Sequence, residues 1–271
     1  MSIIQAIVLG LIQGITEFLP VSSSGHLIFL PAFLGWDDQG VTFDLIVHLG
    51  TLSAVVFYFR KKLWLIIKSF LVYKYSLSDS ETKGFVTNRR LGLLLILSFL
   101  PVAVVGFLLD SNIRSFGIIG WSFIVWGVVL WIADRYSERL NSHKSLDKIS
   151  FGNAMFFGFS QVLALIAGTS RSGITMTAGL FAKFSRKDAA EFSFLMSIPV
   201  IAVSGMLSVV QIVKDGVVFV ELLPLLAGFV VSAFSAFVVI FGFLKVIEKW
   251  RFTPFVIYRI LVGVAILVFL V

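Results

Sequence analysis

The sequence predicts an all-α, polytopic membrane protein built as an inverted repeat, with one re-entrant helical hairpin and three transmembrane helices in each half. Three observations lead to this fold class. Of the 271 residues, 58% are hydrophobic and only 14% are charged, whereas soluble domains carry about 25% charged residues. Six apolar segments are long enough to span a bilayer, and two further apolar segments are each interrupted by a short polar run. We therefore expect six full spans and four half-helices.

The first half of the chain, residues 1–133, begins with the apolar region 3–35, which is broken at Leu19-Pro20 and by the polar run 22–26. Proline lacks a backbone donor and disfavours helix in the residue before it, so this region predicts two half-length helices joined by a polar tip. Such a tip is tolerated at membrane depth only where protein or a wet cavity surrounds it. A full span needs about 20 apolar residues. Three segments meet that requirement: 42–59, 91–109 and 117–133.

A polar linker at 134–150, which we expect in the cytoplasm, precedes the second half, residues 151–271. The apolar region 151–182 is interrupted at 167–173 and predicts a second hairpin of two half-helices. Three more spans follow it: 190–213, 219–244 and 252–271. The two interrupted regions resemble each other at an offset of 148 residues, which indicates a repeat. Five pairs of small or polar residues coincide: Gly10 with Gly158, Gln13 with Gln161, Ser22 with Ser170, Ser24 with Ser172, and Gly25 with Gly173.

The formal net charge of +7 would suit a nucleic-acid-binding protein if the basic residues formed one patch. They lie instead between apolar spans, chiefly at 60–90 and 245–259, which is the pattern of the positive-inside rule. We therefore expect membrane lipids, and no nucleic acid, around this chain. With the basic segments in the cytoplasm, the first hairpin enters from outside and the second from inside, as in inverted-repeat transport proteins. The two polar tips would then meet near the midplane.

The first interrupted region carries an intramembrane carboxylate. Gln13 and Glu17 are four residues apart and so share one face of a helix. Ionisable groups at this depth cost several kcal/mol and usually mark function, although a structural ion pair is the alternative. Asp44 and His48 are also four residues apart at the start of a span, and they fit either the lining of a cavity or the membrane interface.

Three consecutive serines, Ser22, Ser23 and Ser24, follow the first break. One serine suffices to cap a helix, and a helix N-terminus is also a ready site for an anion. In a helix that starts near Ser22, Ser23 and His26 are neighbours. That spacing suits a nucleophile and its base, or a phosphate acceptor and its acid.

The second tip supplies a cation. Arg171 lies at the break of an apolar hairpin, where snorkelling to the interface fits poorly, and guanidinium is the preferred bidentate partner of phosphate. Hydroxyl donors and glycines surround it: Gly168, Ser170, Ser172, Gly173 and Thr175. The chain has no cysteine, which excludes thiolate metal sites. A carboxylate, an imidazole, serines and a guanidinium at two helix starts indicate a phosphate-processing site rather than a haem or nucleotide site.

These residues also carry a resemblance. The run Gln13–His26, QGITEFLPVSSSGH, resembles the first signature of the undecaprenyl-diphosphate phosphatase family of the bacitracin-resistance type. The run Gly168–Thr175, GTSRSGIT, resembles its second signature. Similarity extends over nearly the whole chain and includes EFSFL at 191–195 and PFVIYR at 254–259.

The resemblance implies an integral enzyme of the cell membrane that removes the terminal phosphate of a C55 polyprenyl diphosphate. The product is the monophosphate carrier for peptidoglycan and other envelope polymers. The resemblance further implies two re-entrant hairpins, a homodimer, an active site open to the outer face, and dependence on a divalent cation, Mg²⁺ or Ca²⁺.

By position, Glu17, His26 and Arg171 match the essential residues of that family, and Ser23 matches the serine proposed as its nucleophile. We expect Glu17 and Gln13 to hold the cation, and a further set of polar and small residues to bind the substrate: Gln13, Ser22, Ser24, Gly168, Ser170, Ser172, Gly173 and Thr175. Many members have Glu where this chain has Gln13, which removes one negative charge beside the cation. Many also have Pro-Gly where this chain has Ala167-Gly168.

The resulting hypothesis places the diphosphate between the two tips, with Arg171 on its oxygens. Ser23 attacks the terminal phosphorus, His26 acts as base and then as acid, and Glu17 orients His26 or holds the cation. Attack by His26 itself or by a metal-activated water stays open. The alternative function is a transporter or flippase of a lipid phosphate, because inverted repeats with broken helices are common there, and one chain could combine both activities.

Overall fold

The computed structural model describes residues 1–71, 79–108, 115–214 and 222–271. Regular structure in these ranges is helical, apart from one isolated bridge between Lys144 and Phe184. The α-helices in chain order are α1 Ile3–Thr16, α2 Ser23–Leu34, α3 Gly40–Tyr58, α4 Arg60–Leu71, α5 Asp79–Leu108, α6 Phe116–Glu138, α7 Phe151–Val162, α8 Arg171–Phe181, α9 Arg186–Lys214, α10 Leu222–Val246 and α11 Thr253–Phe269. Two short 3₁₀ helices lie at Leu146–Lys148 and Leu163–Leu165.

Five helices in the described ranges, α3, α5, α6, α9 and α10, are long and apolar enough to cross a membrane. The prediction of an all-α polytopic membrane protein is therefore confirmed. The sixth predicted span, 252–271, forms α11, whose 17 residues extend about 26 Å at 1.5 Å per residue. The predicted span ends at 109 and at 219–221 lie outside the described residues.

The basic segment 60–90 contains helical structure to which the sequence analysis gave no element. Helix α4 occupies Arg60–Leu71, and α5 starts at Asp79 rather than at the predicted position 91. Helix α4 is amphipathic, with Ile66 and Ser69 buried and Trp64 exposed. The basic residues of this helix lower its mean hydropathy, so a search for long apolar segments does not detect it, although its apolar residues recur at helical spacing.

Both interrupted regions form two short helices separated by irregular backbone. The first break lies between α1 and α2 and includes Pro20, and the second lies between α7 and α8. In each break the residue before the second helix, Ser22 or Ser170, has a positive φ, of 71° and 73° respectively. Non-glycine residues rarely adopt this conformation, and its occurrence twice at matching positions gives the two breaks the same local geometry.

The first helix of each interrupted region packs against a long helix from the other half of the chain. Helix α1 lies along α10, and α7 lies along α5. The contacts are close because glycines face backbone: a Cβ added at Gly10 would lie 2.8 Å from the Gly228 carbonyl oxygen, and one at Gly158 would lie 2.4 Å from that of Ser98. Small residues at membrane helix interfaces allow such approach. Helices α3 and α9 pack against each other between these pairs, and α6 packs along α11.

Candidate active site

The two breaks present the N-termini of α2 and α8 in the same way. Ser22 Oγ accepts a hydrogen bond from the Gly25 N–H at 3.4 Å, and Ser170 Oγ accepts one from the Gly173 N–H at 3.1 Å. Capping by serine, the alternative role considered for the first tip, is therefore observed at both tips. The remaining free N–H groups of the first turns and the positive ends of the helix dipoles favour an anion nearby.

The carboxylate of Glu17 is the centre of the site. It is buried, with 6% of its surface exposed, and it accepts three hydrogen bonds. Gln13 Nε2 donates to Oε2 at 3.0 Å, Ser23 Oγ donates to Oε2 at 2.5 Å, and Arg171 Nη2 donates to Oε1 at 3.0 Å. The two tips therefore meet, and residues predicted from opposite halves of the chain contact each other directly.

The Arg171 side chain has a second partner on α9. Its Nη1 donates to the Ser193 carbonyl oxygen at 3.2 Å, and its side chain is 12% exposed. Thr175 accompanies it one turn later in α8, donating to the Arg171 carbonyl at 2.8 Å and sharing a 2.7 Å hydrogen bond with the Ser193 hydroxyl. The guanidinium is thus oriented by α9 and by Glu17, rather than reaching for the interface.

His26 occupies a different environment from the one the spacing predicted. Its Nδ1 lies 2.7 Å from the Ser22 carbonyl oxygen, and its Nε2 lies 2.6 Å from the Tyr258 hydroxyl. Because a carbonyl only accepts, Nδ1 carries the proton and Nε2 accepts from Tyr258. Among the described residues, the predicted hydrogen bond between Ser23 and His26 is not formed. The reason is that the Ser23 hydroxyl donates to Glu17, while the Tyr258 hydroxyl of α11 bonds the imidazole.

The other predicted tip residues differ in what they contact. Ser172 joins the two tips, since its Oγ donates to the Leu19 carbonyl at 2.8 Å. Gly168 has a φ of 88°, and a Cβ there would lie 2.7 Å from the Ile119 carbonyl oxygen, so a side chain is excluded. Ser24 is exposed and lies 3.5 Å from Ser22 through their hydroxyls. Ser170 and Gly173 act through the cap described above.

Three residues close to the site were not assigned to it from the sequence. His48 Nε2 lies 3.8 Å from Glu17 Oε2, while its Nδ1 is 2.6 Å from the Asp44 carbonyl, which places the His48 side chain beside the Glu17 carboxylate. Tyr258 and Arg259 lie on α11 and contact the first tip. Only their position in the run PFVIYR could have pointed to them, because their partners in the first tip, His26 and Pro20, are more than 200 positions away in the chain.

The donor set also bears on the expected cation. Gln13 Oε1 is buried and has no hydrogen-bond partner, and it sits beside the Glu17 carboxylate. Amide and carboxylate oxygens are ligands that Mg²⁺ and Ca²⁺ prefer, and Mg²⁺ commonly uses one or two protein ligands plus substrate phosphates. The residues fit such an ion, although no group of three or more His, Cys, Asp or Glu residues that could form a closed cage occurs in the described ranges.

A serine hydroxyl on a buried carboxylate, with a guanidinium and two helix N-termini beside it, can activate a nucleophile and bind the oxygens of a phosphoryl group. Glu17 is the base within reach of Ser23. The arrangement suits transfer of a phosphoryl group from an anionic substrate, in which positioning and charge stabilisation supply most of the catalysis.

Comparisons with known proteins agree with this geometry. The family model described as bacitracin resistance protein BacA matches residues 6–265. The chain is 44% identical to undecaprenyl-diphosphatase 1 of Pseudoalteromonas translucida (strain TAC 125), covering 100% of this chain and 99% of that protein. It is 45% identical to the undecaprenyl-diphosphatase of Teredinibacter turnerae (strain ATCC 39867 / T7901), covering 99% of each. With a match over nearly its whole length, the chain belongs to the bacitracin resistance protein BacA family.

Proposed function

We propose that this protein is an integral membrane phosphatase that hydrolyses undecaprenyl diphosphate to the monophosphate and inorganic phosphate. This reaction recycles the lipid carrier for peptidoglycan and envelope polymers and confers resistance to bacitracin. The names of the full-length relatives support the substrate. The observation that carries the chemistry is the contact of Ser23 and Arg171 with one buried carboxylate, Glu17.

In the proposed reaction the diphosphate lies between the tips, and Arg171 and the N-terminal N–H groups of α2 and α8 bind its terminal phosphate. Ser23 Oγ attacks the terminal phosphorus while its proton passes to Glu17. The bond from that phosphorus to the bridging oxygen breaks, and the polyprenyl monophosphate leaves with the bridging oxygen. Glu17 passes its proton to the leaving monophosphate. Water then attacks the phosphoserine, Glu17 takes the proton of the water and gives it to Ser23 Oγ as the bond from phosphorus to Oγ breaks, and inorganic phosphate is released.

This assignment gives the role of base to Glu17 instead of His26. Ser23 donates directly to Glu17, whereas both ring nitrogens of His26 are engaged by Ser22 and Tyr258. His26 then holds the start of α2 in place, and with it the Ser23 side chain. Attack by His26 is disfavoured by the same contacts, and attack by a metal-activated water is separated from serine attack by the trapping experiment below.

A divalent cation, Mg²⁺ or Ca²⁺, would be held by Glu17 and Gln13 Oε1 together with substrate oxygens. When bound, it supplies positive charge that offsets the charge of the diphosphate. The neutral Gln13 in place of a second carboxylate lowers the expected affinity for the ion.

We also propose that the architecture is an inverted repeat of residues 1–133 and 151–271, joined by the linker 134–150, with the two broken helix pairs as re-entrant hairpins. The packing of α1 on α10 and of α7 on α5 exchanges equivalent elements between the halves. The matching positive φ values of Ser22 and Ser170 support the same symmetry. By this correspondence Ser23 is equivalent to Arg171, and both contact Glu17.

The positive-inside rule favours a cytoplasmic position for the linker in a bacterial cell, and the family resemblance supports a site open toward the outer side of the inner membrane. The homodimer implied by the family resemblance stays a prediction. Sedimentation of the purified protein in detergent at several concentrations would test it.

The decisive experiment measures phosphate release from undecaprenyl diphosphate by the purified protein in detergent, with and without Mg²⁺ or Ca²⁺. Ser23→Ala should abolish turnover, because the nucleophile is lost. Ser53→Ala, which removes an exposed helix hydroxyl of α3 bonded to the Gly50 carbonyl, should leave turnover unchanged. Rapid quench with labelled substrate should trap phosphate on Ser23.

The outcomes separate the candidate functions. Turnover by the wild type without a trapped phosphoserine, together with turnover by Ser23→Ala, would assign the attack to water. Movement of labelled lipid phosphate across proteoliposomes without release of phosphate would replace the phosphatase with a transporter.

A further inference from the structure

Arg259, in the middle of α11, is the largest of the fully buried side chains, with 0% of its surface exposed. Within the described ranges it pairs with no carboxylate, and its neighbours are backbone carbonyl oxygens. Each of its five N–H donors has an acceptor. Nε donates to Phe123 O at 3.1 Å, Nη1 donates to Pro20 O at 3.2 Å and to Thr169 O at 3.0 Å, and Nη2 donates to Ser122 O and to Gly168 O, both at 3.1 Å.

These acceptors come from three separate parts of the chain. Pro20 belongs to the first break, between Glu17 and Ser23. Gly168 and Thr169 belong to the second break, directly before the Ser170 cap and Arg171. The two remaining carbonyls belong to α6. One guanidinium therefore joins both tips to a membrane-spanning helix.

Burying an uncompensated charge at membrane depth is costly. The cost is offset only if all donors are satisfied, which is the case here. The irregular backbone of the two breaks explains why a side chain with many donors is required here, since carbonyls outside a helix lack the hydrogen bond that a helix would give them. Lysine could not replace this function, because it has three donors on a single atom and no planar fork.

We infer that Arg259 is a positioning residue for the reaction proposed above: it locks the two tips in register and thereby sets the distance between Glu17, Ser23 and Arg171. This inference rests on the proposed function. It differs from a general role in stability, because Arg259 touches neither Glu17 nor Arg171 in the described contacts and acts through the backbone that carries them.

The test uses two perturbations of different strength. Arg259→Lys keeps the charge and removes the fork. Gly127→Ala keeps Arg259 but adds a methyl 3.3 Å from its Cβ and 3.6 Å from its Nε, which displaces the side chain slightly and favours the helix. The controls are Arg251→Lys, at an exposed ion pair with Glu138, and Gly242→Ala, where an added Cβ meets nothing within 4 Å.

Arg259→Lys should lower kcat about 100-fold, the effect of a misplacement of about 1 Å at a reacting centre, and Gly127→Ala should lower it several-fold. Both controls should retain wild-type kcat. In an Arg171→Lys background the effect of Arg259→Lys should shrink to about threefold or less, because coupled residues are not additive. A role in stability alone would give the same factor in both backgrounds, and that result would overturn the inference.

A readout independent of turnover uses the absence of cysteine from the chain. Spin labels at Leu34→Cys, at the C-terminal end of α2, and at Ile166→Cys, before α8, both exposed, report the distance between the far end of α2 and the second break. We expect a narrow distribution in the wild type and a broader or shifted one with Arg259→Lys and with Gly127→Ala.

Unchanged distances together with unchanged kcat in Gly127→Ala would refute the inference even if Arg259→Lys does not fold. If the wild type releases no phosphate, the proposed function fails, while the distance measurement still tests the positioning of the tips.

Discussion

Replacing Glu17 with glutamine tests the centre of the site with the smallest change in shape. The carboxylate accepts from three donors, with Gln13 and Ser23 on one oxygen and Arg171 on the other. A glutamine offers one acceptor oxygen and one NH₂ group. With its NH₂ group toward Arg171, the amide sets two donors against each other. With its NH₂ group toward Gln13 and Ser23, the free Oε1 of Gln13 can turn to accept, but the Ser23 hydroxyl loses its acceptor. The variant therefore loses the charge and the acceptor of either Arg171 or Ser23.

The magnitude follows from burial. Removing one partner of a buried ion pair typically destabilises a protein by 3–5 kcal/mol. Arg171 is 12% exposed and keeps its hydrogen bond to Ser193, so we expect the low end, about 3 kcal/mol. Loss of the base should reduce kcat by a further factor of roughly 10²–10⁴, the usual contribution of general base catalysis.

The assay compares phosphate release and the free energy of unfolding in mixed micelles for Glu17→Gln, Glu17→Asp and Glu248→Gln. Glu17→Asp keeps the charge and should restore part of both quantities. Glu248 is 58% exposed and pairs with Lys187 at 3.3 Å, so its variant should change stability by less than about 1 kcal/mol and leave kcat unchanged. A folded Glu17→Gln protein that keeps more than about one tenth of wild-type kcat would refute the assignment of Glu17 as the base.

Two smaller changes test the support of the site. Tyr258→Phe removes the hydroxyl that donates to His26 Nε2 at 2.6 Å; we expect kcat to fall about tenfold with a loss of stability of about 1 kcal/mol, and wild-type kcat would show that this hydrogen bond is dispensable. Gly14→Ala places a Cβ 1.9 Å from Ser235 Oγ at the contact of α1 with α10, so its melting temperature should fall by several degrees, at a cost of about 1–3 kcal/mol. The control Gly84→Ala, with nothing within 4 Å, should melt at or above the wild-type temperature.

Much of the architecture could be predicted because it depends on short stretches of sequence. Hydropathy and length identify the long helices, and Pro20 with the polar runs identifies both breaks. The capping role of Ser22 and Ser170 follows from residue type, but their positive φ values do not, because that conformation is imposed by the tertiary packing of the tips. Helix α4 was missed because its charges outweigh its narrow apolar stripe.

The sequence predicted which residues form the site better than it predicted which of them bond to each other. The contact of Glu17 with Arg171 follows from bringing the two tips together. The partner of Ser23 does not, because i, i+3 spacing permits a contact with His26 but cannot show that Glu17 competes for the same hydroxyl. His26 turns instead to Tyr258, 232 positions away. Such a pairing depends on how α11 packs, and no local pattern encodes it.

The close contact of α1 with α10 has a consequence for how the chain is made. Helix α1 is synthesised well before the helix that covers its glycine face, which starts only at Leu222. Until then the nascent protein holds an unpartnered, small-residue groove in the lipid, and the same delay applies to Glu17 and its late-arriving neighbours. Assembly therefore cannot proceed vectorially from the amino terminus. A ribosome that stalls before α10 would leave a fragment that cannot complete its own interior and that quality-control proteases should recognise.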